Sequence, residues 1–327
     1  MVREFIYKYG VIIAIIGLII IFSALLPGQF STFSNAINII TSITITALIA
    51  GGLSFSLVVG GFDLSVGSIA SLASMLAAGV MVFSMQPTWV AIVLPLAVGV
   101  IIGLVNSFFI LKLKIPDLLA TLGMMFVAKG IQLVYCHGNE IFSKMNIVSP
   151  TGIHQAPGEI SQTFLIIGQG KIWGIPIMVI IMLFTLVVGH VFLNHTKYGR
   201  VMYATGGNPE AAKLSGIAIY RVKTLGYVIS GFLSALGGVV LASYLGSGQP
   251  NAGGAYLMDA AAASFIGPSL LGIGVFNLPG TLIGAIFVGV LINGLTMLNV
   301  PYTAQDIFKG AVLIGALALN AFKRRQE

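Results

Sequence analysis

The sequence predicts an all-α polytopic membrane protein of about ten transmembrane helices, built as a single membrane domain over residues 1–327. Three observations lead there. The chain is 57% hydrophobic and only 8% charged, with a mean hydropathy of +1.03, which leaves too little polar surface to cover a soluble globule of this size. Its apolar runs are about twenty residues long rather than about ten in alternation, which selects helices over a barrel. Its Lys and Arg residues gather in short connections that fall on one side of the bilayer once the runs are threaded through it.

Taken in order, the runs cover 9–26, 38–59, 65–85, 89–111, 117–136, 173–194, 223–246, 256–272, 279–299 and 303–322. The first is too long for a signal-peptide core and lacks a small-residue cleavage site, so it reads as a retained membrane helix. With the N-terminus inside, Arg3 and Lys8, Lys112 and Lys114, the 195–223 loop and Lys323-Arg324-Arg325 all fall on the cytoplasmic face, together with tight turns at 60–64 and 267–278. Both termini are then cytoplasmic. The long 137–172 connection lies on the periplasmic side, carries Glu140, Glu159, Lys144, Lys171 and the breakers Pro150, Pro157 and Gly158, and is expected to be partly ordered. Trp89 and Trp173 fall at outer span ends, where tryptophan anchors at the interface.

Several function classes drop out. The net charge of +7 is accounted for by the cytoplasmic loops and does not call for nucleic acid. One cysteine, Cys136, excludes an internal disulfide, and His137, His154, His190 and His195 lack metal-ligand spacing. No metal site and no catalytic constellation is expected. No Gly-x-x-x-x-Gly-Lys-[Ser/Thr] run occurs, so the chain has no phosphate cradle for ATP, and any engine resides on another polypeptide.

Charges inside the runs are few: Lys129, Asp259, Asp306 and Lys309. The two aspartates read as first-turn residues stabilised by the helix dipole, the two lysines as side chains that reach the interface. An ion-coupled carrier, which needs a relay of such groups, is a rival to a gated permease. The segment Val98–Asn106 resembles Val288–Asn293, and each is followed by Pro and then Asp (Pro116-Asp117; Pro301 and Asp306). The two run in opposite senses through the bilayer, as in an inverted repeat with its pathway between the halves. Asn106 and Asn293, at matching places in that repeat, and Asp259 are the candidate translocation-path residues; helix–helix hydrogen bonding is the competing role.

Two stretches stand apart. In 195–223, which holds five of the sixteen Lys and Arg, Asn208 suits an N-cap, Pro209 the first helical position and Glu210 the positive helix end. Gly216 suits a left-handed close. In Gly60-Gly61-Phe62-Asp63-Leu64-Ser65-Val66-Gly67-Ser68, two apolar runs join with almost no loop. There Gly60 and Gly61 permit reversal, Asp63 and Ser65 can accept from free helix N–H groups, and Gly67 admits a close neighbour.

This second run resembles the Gly-Gly-x-Asp-Leu-Ser-Val-Gly signature of permease subunits of bacterial ribose-type ABC importers. The likeness continues in Ala120-Thr-Leu-Gly-Met-Met125, in 203–217, in Gln249-Pro250 with Gly253 and Asp259-Ala260, and in Gly280-Thr281 with Asn293-Gly294, covering about residues 40 to 322. It implies a type II importer-like, multi-pass permease of the bacterial inner membrane that is no enzyme itself. Its partners would be a second permease copy or paralogue, a cytoplasmic ATPase that binds ATP and Mg, and a periplasmic solute-binding protein delivering a monosaccharide. Gly207, Asn208, Pro209, Glu210, Ala211, Ala212, Leu214 and Gly216 would form the element that couples to the ATPase. Gly60, Gly61, Asp63, Leu64, Ser65 and Gly67 would form the permease motif. The run Ile266-Gly-Pro-Ser-Leu-Leu-Gly-Ile-Gly274 departs from the family's Gly-Gly-Thr-Ser-Leu pattern, with Pro268 restricting Gly267. Other cargo (a nucleoside, an amino acid, a sugar-like signal) remains an alternative.

Overall fold

The computed structural model describes residues 2–149, 152–268, 274–311 and 314. Its helices are α1 (Val2–Leu25), α2 (Phe33–Val58), α3 (Val66–Val82), α4 (Thr88–Leu111), α5 (Asp117–Cys136), α6 (Gln162–Gln169), α7 (Ile177–His195), α8 (Lys197–Gly207), α9 (Pro209–Leu214), α10 (Ile219–Leu245), α11 (Gly254–Ile266) and α12 (Leu278–Met297). A further helix over 302–311 is labelled α13. Each of the ten apolar runs contains one of these helices. Six of them (α2, α4, α5, α7, α10 and α12) are long and apolar enough to cross a membrane, and Tyr9–Leu25, α3 and α11 are shorter apolar helices.

Burial sorts the long helices into an inner and an outer set. In the most apolar stretch of each, α10 is 72% and α2 67% buried, whereas α4 and α5 are 28% and α7 33% buried. The first two are the centre of the bundle. The others carry rows of exposed apolar side chains such as Phe126, Phe184 and Val187, the surface that lipid solvates. α10 lies against α2, α3 and α4, while α2 reaches α7, α11 and α12. The α4–α10 contact is backbone on backbone: a Cβ on Gly99 would land on the Gly231 carbonyl oxygen, and one on Gly231 on that of Gly99. Small residues at such a crossing let dispersion and packing hold helices for which the lipid offers no hydrophobic drive.

The 137–172 connection is more ordered than its sequence suggests. β1 (Ile141–Phe142) pairs with β6 (Ser247–Gly248), β2 (Asn146–Ser149) with β3 (Gly152–Gln155), and β4 (Lys171–Ile172) with β5 (Ile175–Pro176), all antiparallel. Ile141, Ile160 and Phe164 are buried with Met75 and Met81 of α3, and α6 is tied to α10 where Gly168 N–H donates to Ser243 Oγ at 2.7 Å. Single apolar residues without periodicity carry this docking, so the order arises from tertiary contact rather than local pattern. Short β pairs thus accompany the helical bundle.

At the departure from the family pattern, Gly267 keeps right-handed helical angles (φ −51°, ψ −49°), although the following proline disfavours that region. A Cβ on Gly280 would meet Gly267 Cα at 2.7 Å, so α12 starts directly against this turn. Residues 269–273 and the Lys323-Arg324-Arg325 cluster lie outside the described residues, as do the side chains of Arg3 and Lys8.

Candidate functional site

The turn after α2 is where the sequence packs the most polar chemistry into the bundle. Gly60 takes φ +74°, a left-handed angle that reverses the chain. Asp63 is fully buried, and its carboxylate is enclosed by donors. Oδ1 accepts from the Ser65 N–H at 3.0 Å and the Ser65 hydroxyl at 2.5 Å, and Oδ2 from the Ser230 hydroxyl of α10 at 2.8 Å. Asn106 of α4 donates through Nδ2 to Ser65 Oγ at 2.9 Å and lies 3.5 Å from Asp63 Oδ1. One carboxylate therefore ties the α2–α3 turn to α4 and α10. A buried charge persists only when it is hydrogen-bonded on all sides.

A second pairing extends this knot. Tyr227, one turn before Ser230 on α10, donates to Asp117 Oδ2 at 2.7 Å at the start of α5, and Thr121 donates to the Phe62 carbonyl at 3.2 Å. Gly61 sits beneath them, where any Cβ would strike the Tyr227 hydroxyl. Leu64 is half-buried against the main apolar core, and Gly67 faces the Gly253 carbonyl closely enough that a Cβ would lie 2.9 Å from it. Asp63 accepts from the N–H of Ser65, the residue just ahead of α3, rather than from a free N–H of the helix itself. The Ser65 side chain makes no cap hydrogen bond, because its hydroxyl is drawn to Asp63 instead.

The 195–223 segment folds into α8 and α9. Thr196 caps α8 by accepting from the Gly199 N–H at 3.2 Å, and Asn208 caps α9 by accepting from Glu210 and Ala211 N–H at 3.1 and 3.0 Å. Pro209 occupies the first turn and Gly216 takes φ +80°, as the residue pattern predicts. α8 rests on the knot: a Cβ on Gly206 would land on the Val58 carbonyl oxygen, and Gly60 is in contact with the same residue. At its middle, Tyr203 donates to the Phe276 carbonyl at 2.9 Å, just ahead of α12. Burial pushes the Tyr203 phenol above its usual pKa, so the donated proton is held beyond the pH at which a solvated tyrosine loses it. α9 is held by buried Ala212. Gly207, Asn208, Pro209, Glu210, Ala211 and Gly216 are exposed, and Leu214 is 90% exposed. Its apolar side chain projects from a polar, basic stretch rather than from a lipid-facing helix.

The three path candidates do not meet at one point. Asn106 belongs to the Asp63 knot, and its Oδ1 is buried without a hydrogen-bond partner. Asn293 of α12 accepts from Asn35 of α2 at 3.1 Å. Asp259 lies in the second turn of α11 rather than the first, and pairs with Lys309 of α13 at 3.2 Å. Its partner is thus a cation from another helix, where the sequence suggests a helix dipole. Sequence reasoning also passed over Ser230, Tyr227 and Asn35. The i, i+3 spacing of Tyr227 and Ser230, two polar groups on one face of an apolar run, is the signal that could have found the first two. Among the described residues no cluster of three or more His, Cys, Asp or Glu could hold a metal.

A sequence model of the family described as branched-chain amino acid transport system / permease component matches residues 35–317. Relatives similar to this chain include the ribose import permease protein of Bacillus subtilis (strain 168), 40% identical over 97% of this chain and 93% of that protein. The ribose import permease protein of Escherichia coli (strain K12) is 35% identical over 96% and 93%. The xylose transport system permease protein of Escherichia coli (strain K12) is 30% identical over 98% and 93%. No solved structure matches the chain.

Proposed function

Because the chain belongs to the branched-chain amino acid transport system permease family, a family of transport subunits, we propose that it is the membrane subunit of an ATP-binding-cassette importer carrying a monosaccharide inward. Relatives named for ribose and xylose, matched along nearly the whole chain, favour a sugar over the amino acid in the family's description. It works in a bacterial inner membrane, crosses it about ten times as one type II importer-like domain, and keeps both termini and the 195–223 loop in the cytoplasm and 137–172 in the periplasm. It acts with a second permease copy or paralogue, a cytoplasmic ATPase that holds ATP and Mg, and a periplasmic solute-binding protein.

The observation that carries this reading is the exposed α9 seated, through α8, on the Asp63 knot. A push on Leu214 and its neighbours reaches α2, α3, α4 and α10 through backbone contacts at Gly206 and Gly60 and through one buried carboxylate. Packed helices move as units rather than flexing. Closure of an ATPase beneath α9 therefore rocks the bundle and alternates access to a path between the halves of an inverted repeat. Asn293 and Asp259 are placed on that path. Asn106 is placed at its inner border, tied into the knot.

The test is reconstitution. Proteoliposomes holding this chain alone are expected to accumulate no ribose or xylose, and accumulation is expected only once ATPase, ATP and binding protein are added. Accumulation by the chain alone, with or without an ion gradient, would establish the carrier reading instead. In the complete system Asn293→Ala is expected to slow uptake at normal abundance, while Asn106→Ala lowers abundance as well, because it strips a donor from a buried network. Full uptake by both variants removes them from the path.

A further inference from the structure

At the end of the bundle that carries β6 and the 137–176 segment, α11 and α13 part around a cavity of about 480 Å³ lined by Gly254, Ala255, Met258, Asp306, Lys309 and Gly310. Its size lies within the range of small-molecule sites. Lys309 Nζ lies 3.2 Å from Asp259 Oδ1 and 3.8 Å from Asp306 Oδ1, and the three side chains are 18%, 9% and 74% exposed respectively. Asp259 Oδ1, buried, has Lys309 as its partner, while Asp306 and Lys309 line the cavity. The Lys309 ammonium, with three N–H donors, borders the cavity beside the exposed Asp306 carboxylate.

Resting on the reading of the chain as a sugar importer, we infer that this cavity is a binding subsite for a neutral polyhydroxylated solute, the place where the permease first holds its cargo. Adjacent hydroxyls of a pentose or hexose can donate to a carboxylate and accept from an ammonium at the same time, which is what Asp306 and Lys309 offer side by side in the cavity wall. Ala255, Met258 and Gly310 supply the apolar surface that the C–H face of a sugar ring covers. A purely structural pair needs neither a cavity nor the exposed Asp306 beside it. Two carboxylates around a lysine repel an anionic solute, and the ammonium between them opposes a divalent cation. Gln249, bonded to Glu140 at 3.1 Å, and Asn251, bonded to Gln132 at 3.0 Å, fix the loop that leads into α11. This places the cavity at the periplasmic end in the proposed topology, where a binding protein would release its load.

The experiment is saturation-transfer NMR of ribose, and separately of leucine, on the full chain in lipid nanodiscs. Wild type is expected to give a ribose signal and no leucine signal. Ala255→Trp, which fills the cavity from an exposed position, is expected to abolish it. Asp306→Asn, which leaves the buried pair intact, is expected to weaken binding about tenfold, the loss of one charge-assisted hydrogen bond. Equal ribose signals in wild type and both variants, a leucine signal as strong as that of ribose, or no ribose signal from a chain that takes up ribose in the complete importer, overturns the subsite while the transport reading stands. Failure of the complete importer to take up any monosaccharide overturns that reading instead.

Discussion

Asp63→Ala is expected to abolish energised uptake and to reduce the amount of folded protein sharply. The substitution leaves the Ser65 N–H and the Ser65 and Ser230 hydroxyls without their acceptor in a fully buried pocket, while the Asn106 amide keeps only its bond to Ser65 Oγ. Each stranded group costs about 1–3 kcal/mol, against a total stability of about 5–15 kcal/mol for a typical domain. Asp63→Asn separates geometry from charge. Its amide keeps the shape and one acceptor oxygen for Ser65, and the Ser230 hydroxyl can turn to accept from the new NH₂. Asn is therefore expected to restore most of the abundance, measured by fluorescence size-exclusion of tagged protein, with uptake intermediate between wild type and Ala. Equal abundance of Ala and wild type would mean that Asp63 is not the fastening point of the turn.

The second large effect is expected at Gly206. A Cβ there would land on the Val58 carbonyl oxygen, with the backbone of Gly60 also near, so Gly206→Val must lift α8 away from the α2–α3 turn. Because α8 carries α9, the ATPase contact and the bundle would then be uncoupled. ATP hydrolysis by the reconstituted complex is expected to persist while sugar uptake falls to background. Gly130→Ala, exposed on α5 and without a neighbour within 4 Å of a Cβ, is the control and is expected to retain both. A Gly206→Val complex that transports normally would show that this backbone contact transmits nothing.

Much of this organisation was legible in the residues, for identifiable reasons. Helical apolar runs announce themselves because lipid admits few other structures, and the cap of α9 is local: Asn208, Pro209 and Gly216 each act within a few positions. The Gly60–Asp63 turn was visible for the same reason. Its partners were not, since Ser230 is 167 positions from Asp63, a contact created by how α10 crosses α2 and α4. The Asn35–Asn293 bond spans 258 positions. The Asp259–Lys309 pair likewise joins two helices that the sequence treats as separate, so dipole stabilisation was the natural reading of Asp259. The 137–172 connection has no periodicity to read, as its order comes from scattered residues docking on α3 and α10.

Coupling requires α9 to be the surface that the ATPase grips, and cysteine cross-linking from Leu214 tests this most directly. The native thiol, Cys136, is 3% exposed and can be removed as Cys136→Ala. Leu214→Cys then presents a single thiol at a position 90% exposed, where buried Ala212 would not serve. In membranes containing the whole importer, a short bismaleimide is expected to join Leu214→Cys to the ATPase, with a yield that changes on adding ATP. A transport-competent complex that forms no such adduct, or whose introduced thiol reacts with an impermeant maleimide from the periplasmic side of intact cells, would contradict it.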